Sequence, residues 1–170
     1  MNELTLNLHM HTKYSDGTGS HFDIARAAIA AGVDAVIVTD HNIHVQGFEG
    51  YFHENDRKVL LLVGEEIHDQ AREPQKNHLL VFNAEQELAT YASDPQSLLD
   101  KVKESGGLSF IAHPYDPELK MFGEDDISWV NWEVTGFTGI ELWNGFSEVK
   151  NVIKSKLQAI FFAFAPQFVA

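Results

Sequence analysis

With 170 residues and no cysteine, the chain is long enough to bury a core without disulfides, and a disulfide framework and thiolate zinc sites are both excluded. It carries 25 acidic against 12 basic residues, a formal net charge of -13, which argues against a surface built to hold nucleic acid, because phosphate binding needs a basic footprint. The N-terminus MNELTLNLHM offers no basic or long apolar leader, and the apolar tail from Ala159 to Ala170 is broken by Pro166 and too short to span a bilayer. The expectation is one cytoplasmic domain over residues 1–170, with no membrane partner and no stable nucleic-acid complex.

Taken in chain order, Leu4 to Met10 reads as a strand that ends on His9 and His11, and alternation sends both imidazoles to one face. Ser20 with Asp23 marks a cap leading into IARAAIAAG, which Gly32 closes. Ala35 to Thr39 is a second strand, followed at once by Asp40 and His41. Val59 to Val63 is a third and runs into Gly64, Glu65 and Glu66. His78 to Phe82 is a fourth, with His78 at its start rather than its end. Asp94-Pro95 opens a helix with Leu98, Leu99 and Val102 on one face, closed by Gly106-Gly107. Leu108 to Ala112 is followed by His113, and Gly139 to Trp143 carries Glu141 and Asn144 near its end. Several of these runs are almost wholly apolar, as strands buried on both faces are, so the alternation predicts an α/β fold with parallel pairing.

Each polar residue at a strand end has an ordinary reading. His9-x-His11 alone is compatible with polar surface, Asp16 in YSDG with a turn, Asp40 with a carboxylate that orients the neighbouring imidazole, and His113 with a satisfied core histidine. Their joint recurrence at strand ends is what those readings fail to explain. Imidazoles and carboxylates together are ligands for zinc, manganese or iron, and they converge if the sheet curls into a barrel. His21 is assigned to the helix start, His44 and His53 to an exposed connection, and His68 to the loop after Glu66, within reach of a substrate. Trp129, Trp132 and Phe137 read as core or lid packing. Lys13, Arg72 and Lys76 are the cations nearest the ligand segments and the candidates to hold a phosphate.

The ordered set HMH, YSDG, TDH, GEEI, NHLLVF and AHP resembles the polymerase and histidinol phosphatase (PHP) family of metal-dependent phosphoesterases over roughly the first two-thirds of the chain. The resemblance implies a distorted barrel of seven βα units with two or three divalent ions (Zn, Mn or Fe) at one end. It assigns His9 and His11 to a first metal, Glu66 to the bridge between first and second, His78 and His113 to the second, and Asp16 and His41 to the third. Glu66 fits the Gly-x-Glu spacing after Gly64 better than Glu65 does. The family's late Asp-x-His motif has no counterpart, since no histidine follows His113 and Asp116, Asp125 and Asp126 come too early. The expectation is a shortened, incomplete barrel of about six strands, with the first and third sites each short of one protein ligand.

The expected activity is hydrolysis of a small phosphorylated metabolite or nucleotide by a metal-bound hydroxide, with Glu66, His113 and Asp16 carrying the catalysis. A metal-dependent amidohydrolase is the enzymatic alternative, although no lysine sits at a middle strand end. A catalytically impaired metal-binding or interaction module is the other, and a homo-oligomer formed across the open barrel edge is the expected partnership.

Overall fold

Short-range signals decide the best-marked helices. In the computed structural model, which describes residues 3–164, helix α1 (His21–Ala31) starts behind a complete capping box. The Ser20 hydroxyl accepts from the Asp23 amide, and the Asp23 carboxylate accepts from the Ser20 amide. Such a cap satisfies amides that the first turn leaves open and contributes about 1 kcal/mol. Gly32 ends the helix at φ +76°, where a Cβ would be strained. Helix α2 (Pro95–Glu104) is capped by Asp94, whose carboxylate accepts from the Gln96 and Ser97 amides, and it buries Leu98, Leu99 and Val102. Two further helices, α3 (Gly145–Val152) and α4 (Lys156–Phe164), close the described chain. Pro166 and the rest of the apolar tail beyond 164 lie outside the described residues. No helix among the described residues is long and apolar enough to cross a membrane.

The strands are β1 (Leu6–Asn7), β2 (Ala35–Val38), β3 (Gly50–Glu54), β4 (Arg57–Ile67), β5 (Leu79–Phe82), β6 (Leu108–Ile111) and β7 (Gly139–Ile140). Six of them form one row, β1-β2-β4-β5-β6-β7, and β3 pairs with β4 outside that path. Within the described residues β1 pairs only with β2 and β7 only with β6, so the curled sheet stays open as an incomplete barrel. The long β4 is its spine: the first half pairs with β2 and β3, the second with β5.

Two sequence expectations need correction. The pairing is not parallel throughout, because β5 runs antiparallel to both β4 and β6, while β1, β2, β4, β6 and β7 keep parallel contacts. An apolar run such as LLVF carries no information about direction. His53, assigned to an exposed connection, lies instead on strand β3, which turns back onto β4 through Asn55-Asp56 with Glu54 opposite Arg57. Asn55 takes φ +53°, and an Asn-initiated two-residue loop is a recognisable hairpin signal.

Alternation along β4 sorts the molecule into two sides. Val59, Leu61 and Val63 pack with Ala25, Ile29 and Val38 in one buried cluster beneath α1. Ile67 joins Leu98, Leu99, Val102 and Ile111 in a second beneath α2, together with the buried Trp129. Phe137 packs against that cluster, whereas Trp132 stays exposed. Burying each such aliphatic side chain contributes about 1.5–3 kcal/mol. The even-numbered residues of β4 face the other way, and the last of them is Glu66.

Candidate metal centre

The direction of β5 explains why His78 stands before its strand while His9, His11, His41 and His113 follow theirs and Glu66 lies near the end of β4. Reversing the strand brings its start to the end of the sheet where β4 and β6 finish, and the Ala112 amide donates to the His78 carbonyl there. On the opposite flank the β2–β4 pairing continues past the strands proper: the Asn42 amide donates to the Glu66 carbonyl, setting His41 beside Glu66. The Thr39 amide donates to the Met10 carbonyl and fixes the segment between His9 and His11. Gly64 permits the tight fit of β5, since a Cβ there would meet the Val81 carbonyl at 2.8 Å and the Phe82 ring at 2.7 Å.

Glu66 is the centre of the arrangement, and its two oxygens face different partners. Oε1 lies 2.9 Å from His78 Nδ1 and 2.8 Å from His113 Nε2. Oε2 lies 2.9 Å from His9 Nε2, 3.2 Å from His11 Nε2 and 3.4 Å from His41 Nδ1. Asp16 stands at the rim, largely exposed, 3.7 Å from His11 Nδ1 and 3.6 Å from His41 Nε2. All seven sequence-assigned ligands therefore meet at one end of the sheet. Gly17 helps seat Asp16, because a Cβ there would lie 2.3 Å from the His11 carbonyl oxygen.

Burial by itself would raise the Glu66 pKa, but the His9 charge and hydrogen bonds from His11, His113 and His78 hold it well below the ordinary carboxylate range. Burial likewise opposes charge on His9, yet the Glu66 charge and hydrogen bonds to Glu141 and Glu66 lift it to about 10. His41 moves the other way, lowered by burial and by the neighbouring His11 and His78. One carboxylate thus serves five imidazoles. Buried ring nitrogens make no hydrogen bond at His11 Nδ1, His41 Nδ1 and His78 Nε2. Three donor groups each bring their ligand atoms within 4.8 Å of one another: His9, His11 and Glu66; His11, Asp16 and His41; His41, Glu66 and His78. Imidazole nitrogens without hydrogen bonds, set around a carboxylate, fit divalent transition-metal ions once their rings give up their protons.

Several secondary assignments change. Asp40 does not orient His41; its buried carboxylate accepts from the Thr12 amide (2.6 Å), the Thr12 hydroxyl (2.7 Å) and the Ser15 hydroxyl (2.8 Å), and so shapes the loop that carries Asp16. His68 is buried and stacks on His78 with ring centroids 4.5 Å apart; it does not line the cavity, which removes the substrate contact expected of it. Burial and the charges of His78 and His41 depress its pKa to about 4. His21 begins α1 as expected and is buried against Phe48, centroids 4.1 Å apart. Glu65 turns away from the imidazoles. Burial and the Glu87 carboxyl raise its pKa to about 9, while Glu87 is lowered, so the two share one proton. None of Lys13, Arg72 and Lys76 lines the cavity, and Lys76 is paired with Asp126.

The cluster opens into a cavity of about 1050 Å³. Its walls include Leu6, Leu8, Trp143 and Phe146, and the cation that reaches it is Lys150, which sequence reasoning passed over. Lys150 is buried on α3 and donates to Asp116 at 2.5 Å, and Asp116 also accepts from the Ser147 hydroxyl. Sequence offered no signal for this pair, because its two charges lie 34 positions apart.

Comparisons with known proteins bear on the fold and the family. An uncharacterized protein of Methanocaldococcus jannaschii is 27% identical over 165 residues, covering 89% of this chain and 90% of its own. A crystal structure from Bifidobacterium adolescentis, provisionally named a metal-dependent phosphoesterase, superposes with a TM-score of 0.55 at 14% identity, over 84% of this chain and 78% of that one, a likeness of fold. A two-domain protein from Bacteroides vulgatus, provisionally described as containing a PHP-like metal-dependent phosphoesterase, matches at 22% identity and a TM-score of 0.45, over 75% of this chain and 39% of its own. The model of the PHP domain matches residues 7–118, the span from the strand before His9 to just past His113. The chain belongs to the PHP domain family.

Proposed function

We propose that the protein is a metal-dependent hydrolase of small phosphate esters, with phosphorylated metabolites or nucleotides as its substrates. The observation that carries this reading is the carboxylate of Glu66 set between two groups of imidazoles, with ring nitrogens left over for a cation. In this reading His9 and His11 would hold one metal, His78 and His113 a second, Glu66 would serve both, and Asp16 with His41 would hold a third. Bound divalent ions, zinc, manganese or iron, would supply Lewis acidity toward phosphate oxygens and a water of lowered pKa.

The protein's own groups do the rest. The His9 charge and the hydrogen bonds from His11, His113 and His78 hold the buried Glu66 well below the ordinary carboxylate range, which suits an anionic ligand. Asp16, exposed at the rim, is free to orient an incoming water or accept its proton. His113, with Nε2 2.8 Å from Glu66 Oε1, lies within the cavity lining and would act on the ester through the metal it helps to hold. The apolar wall of Leu8, Trp143 and Phe146 suits the organic part of the ester. The net charge of -13 favours a compact substrate over a long nucleic acid.

The test is turnover by protein loaded separately with zinc, manganese or iron, assayed with phosphomonoesters and phosphodiesters between about pH 6 and 9. Hydrolysis that disappears on chelation and returns with metal is the expected result. A fully loaded sample that cleaves neither ester class rejects the enzymatic reading. Two or three equivalents of metal per chain by elemental analysis are expected alongside it.

A further inference from the structure

We propose that Glu141 is a positioning residue for this centre: its carboxylate clamps His9 and His113 together across the open seam of the sheet, and it decides which nitrogen of His9 faces the site. The inference rests on the metal-centre reading above and adds a residue that no ligand pattern in the sequence contains. His9 follows β1 and Glu141 follows β7, strands that have no backbone pairing with each other among the described residues. At the site end a side chain does what a backbone ladder would do in a closed barrel.

The geometry is specific. Glu141 is anchored by its own amide, which donates to the Ile111 carbonyl. Its Oε1 lies 2.9 Å from His9 Nδ1, and its Oε2 accepts from the His113 amide at 2.7 Å. Asn144 Nδ2 donates to both oxygens at 3.3 Å, while Asn144 Oδ1 accepts from the Phe146 and Ser147 amides at the start of α3. The carboxylate is therefore held in place by a helix cap and spends its acceptor capacity on two candidate ligands. With Nδ1 of His9 donating to Glu141, Nε2 is the nitrogen that faces Glu66, 2.9 Å away. A carboxylate behind a ligating imidazole fixes the ring orientation and makes the nitrogen a stronger ligand. On the other arm His113 has φ +23°, a conformation that L residues rarely adopt, and the bond to its amide helps hold it there.

The experiment uses the full chain and the variants Glu141→Ala and Glu141→Gln, with two readouts. The first is the His9 ring in metal-free protein by ¹⁵N-histidine NMR, assigned with His9→Gln: a protected Nδ1–H is expected in the parent and is lost in Glu141→Ala. The second is the affinity for zinc alone, expected to fall about 10–100-fold in Glu141→Ala. Glu141→Gln has a single acceptor oxygen for two donors and is expected to lose less. Parent-like zinc affinity in Glu141→Ala, with only a lower melting temperature, means a merely structural seam bond and overturns the proposal. So does an unchanged His9 Nδ1–H signal. If the parent binds no zinc, manganese or iron, the metal-centre reading fails by itself, and the ring signal still decides whether Glu141 clamps His9.

Discussion

Glu65 and Glu66 are neighbours in sequence and lie on opposite sides of β4, and the two sides have opposite chemistry. Glu66 points into a ring of five imidazoles, which keep it charged although it is buried. Glu65 points toward Glu87 on the far side of the sheet, where burial and the second carboxyl keep a proton on it. Both are about equally buried, at 1% exposure, so burial does not distinguish them. What differs is whether the surrounding groups present positive charge or another acid. A strand's period of two is enough to turn one dipeptide into a candidate metal bridge and a neutral structural acid.

The sharpest way to break that comparison is Glu66→Gln. It should strip at least one metal equivalent, by elemental analysis, and lower the proposed phosphoesterase turnover by more than about 100-fold, beyond the usual effect of residues that only support a ligand. Unchanged stoichiometry would reject the bridging role. On the opposite side, Ile67→Ala removes a fully buried side chain from the cluster beneath α2 and should destabilise by about 2–5 kcal/mol in denaturant unfolding. Metal stoichiometry of the folded fraction should survive it; coupled loss would mean that the two sides are not separable.

His21 tests the helix-covered side by pH. Burial lowers its pKa beneath the ordinary 6.5, with Asp40 opposing weakly, so the unfolded chain takes up the proton first as pH drops. Its contribution to stability is present above 6.5 and is lost as pH falls below it. His21→Phe, which keeps the stack on Phe48, should flatten the acid limb of the stability curve by an amount read from unfolding midpoints at several pH values. A parallel shift at every pH would exclude His21 as the source.

The smallest effect is expected for Glu65→Gln. The folded pKa of about 9 exceeds the ordinary 4.5, so the stability from this group is complete below 4.5 and declines as pH rises toward 9. Near neutrality glutamine replaces an already protonated acid, and the change should stay within about 1 kcal/mol. The variant should also lose less stability than the parent between those two pH values. A large loss of metal in Glu65→Gln would reverse the assignments of the two glutamates.

Much of the centre was legible because local rules act on local spacing. His9 and His11, two positions apart just past β1, both reach Glu66 Oε2, Gly64 sets the spacing to Glu66, and Ser20 with Asp23 announces α1. The Asn55-Asp56 hairpin carried a readable signal too, although His53, on the strand it creates, was assigned to a connection. What could not be read is long-range. The direction of β5, the turn of Asp40 toward Thr12 and Ser15, the stacking of His68 on His78 and the pairing of Lys150 with Asp116 all depend on partners 10 to 34 positions away.

The sequence by itself determined the kind of chemistry available here: imidazoles and carboxylates at the ends of apolar segments, no thiols, and an acidic surface. Periodicity and capping are enforced within a few residues, so they survive in one dimension. The tertiary structure alone decided how the distant imidazoles reach Glu66 and which second carboxylate stands behind them. A reversed β5 delivers His78 to the common end, and the open seam between β1 and β7 leaves Glu141 to join what no backbone hydrogen bond joins among the described residues. Those outcomes depend on where distant segments pack, and the driving force for packing, burial of apolar surface, is blind to strand direction and to which polar group it carries along.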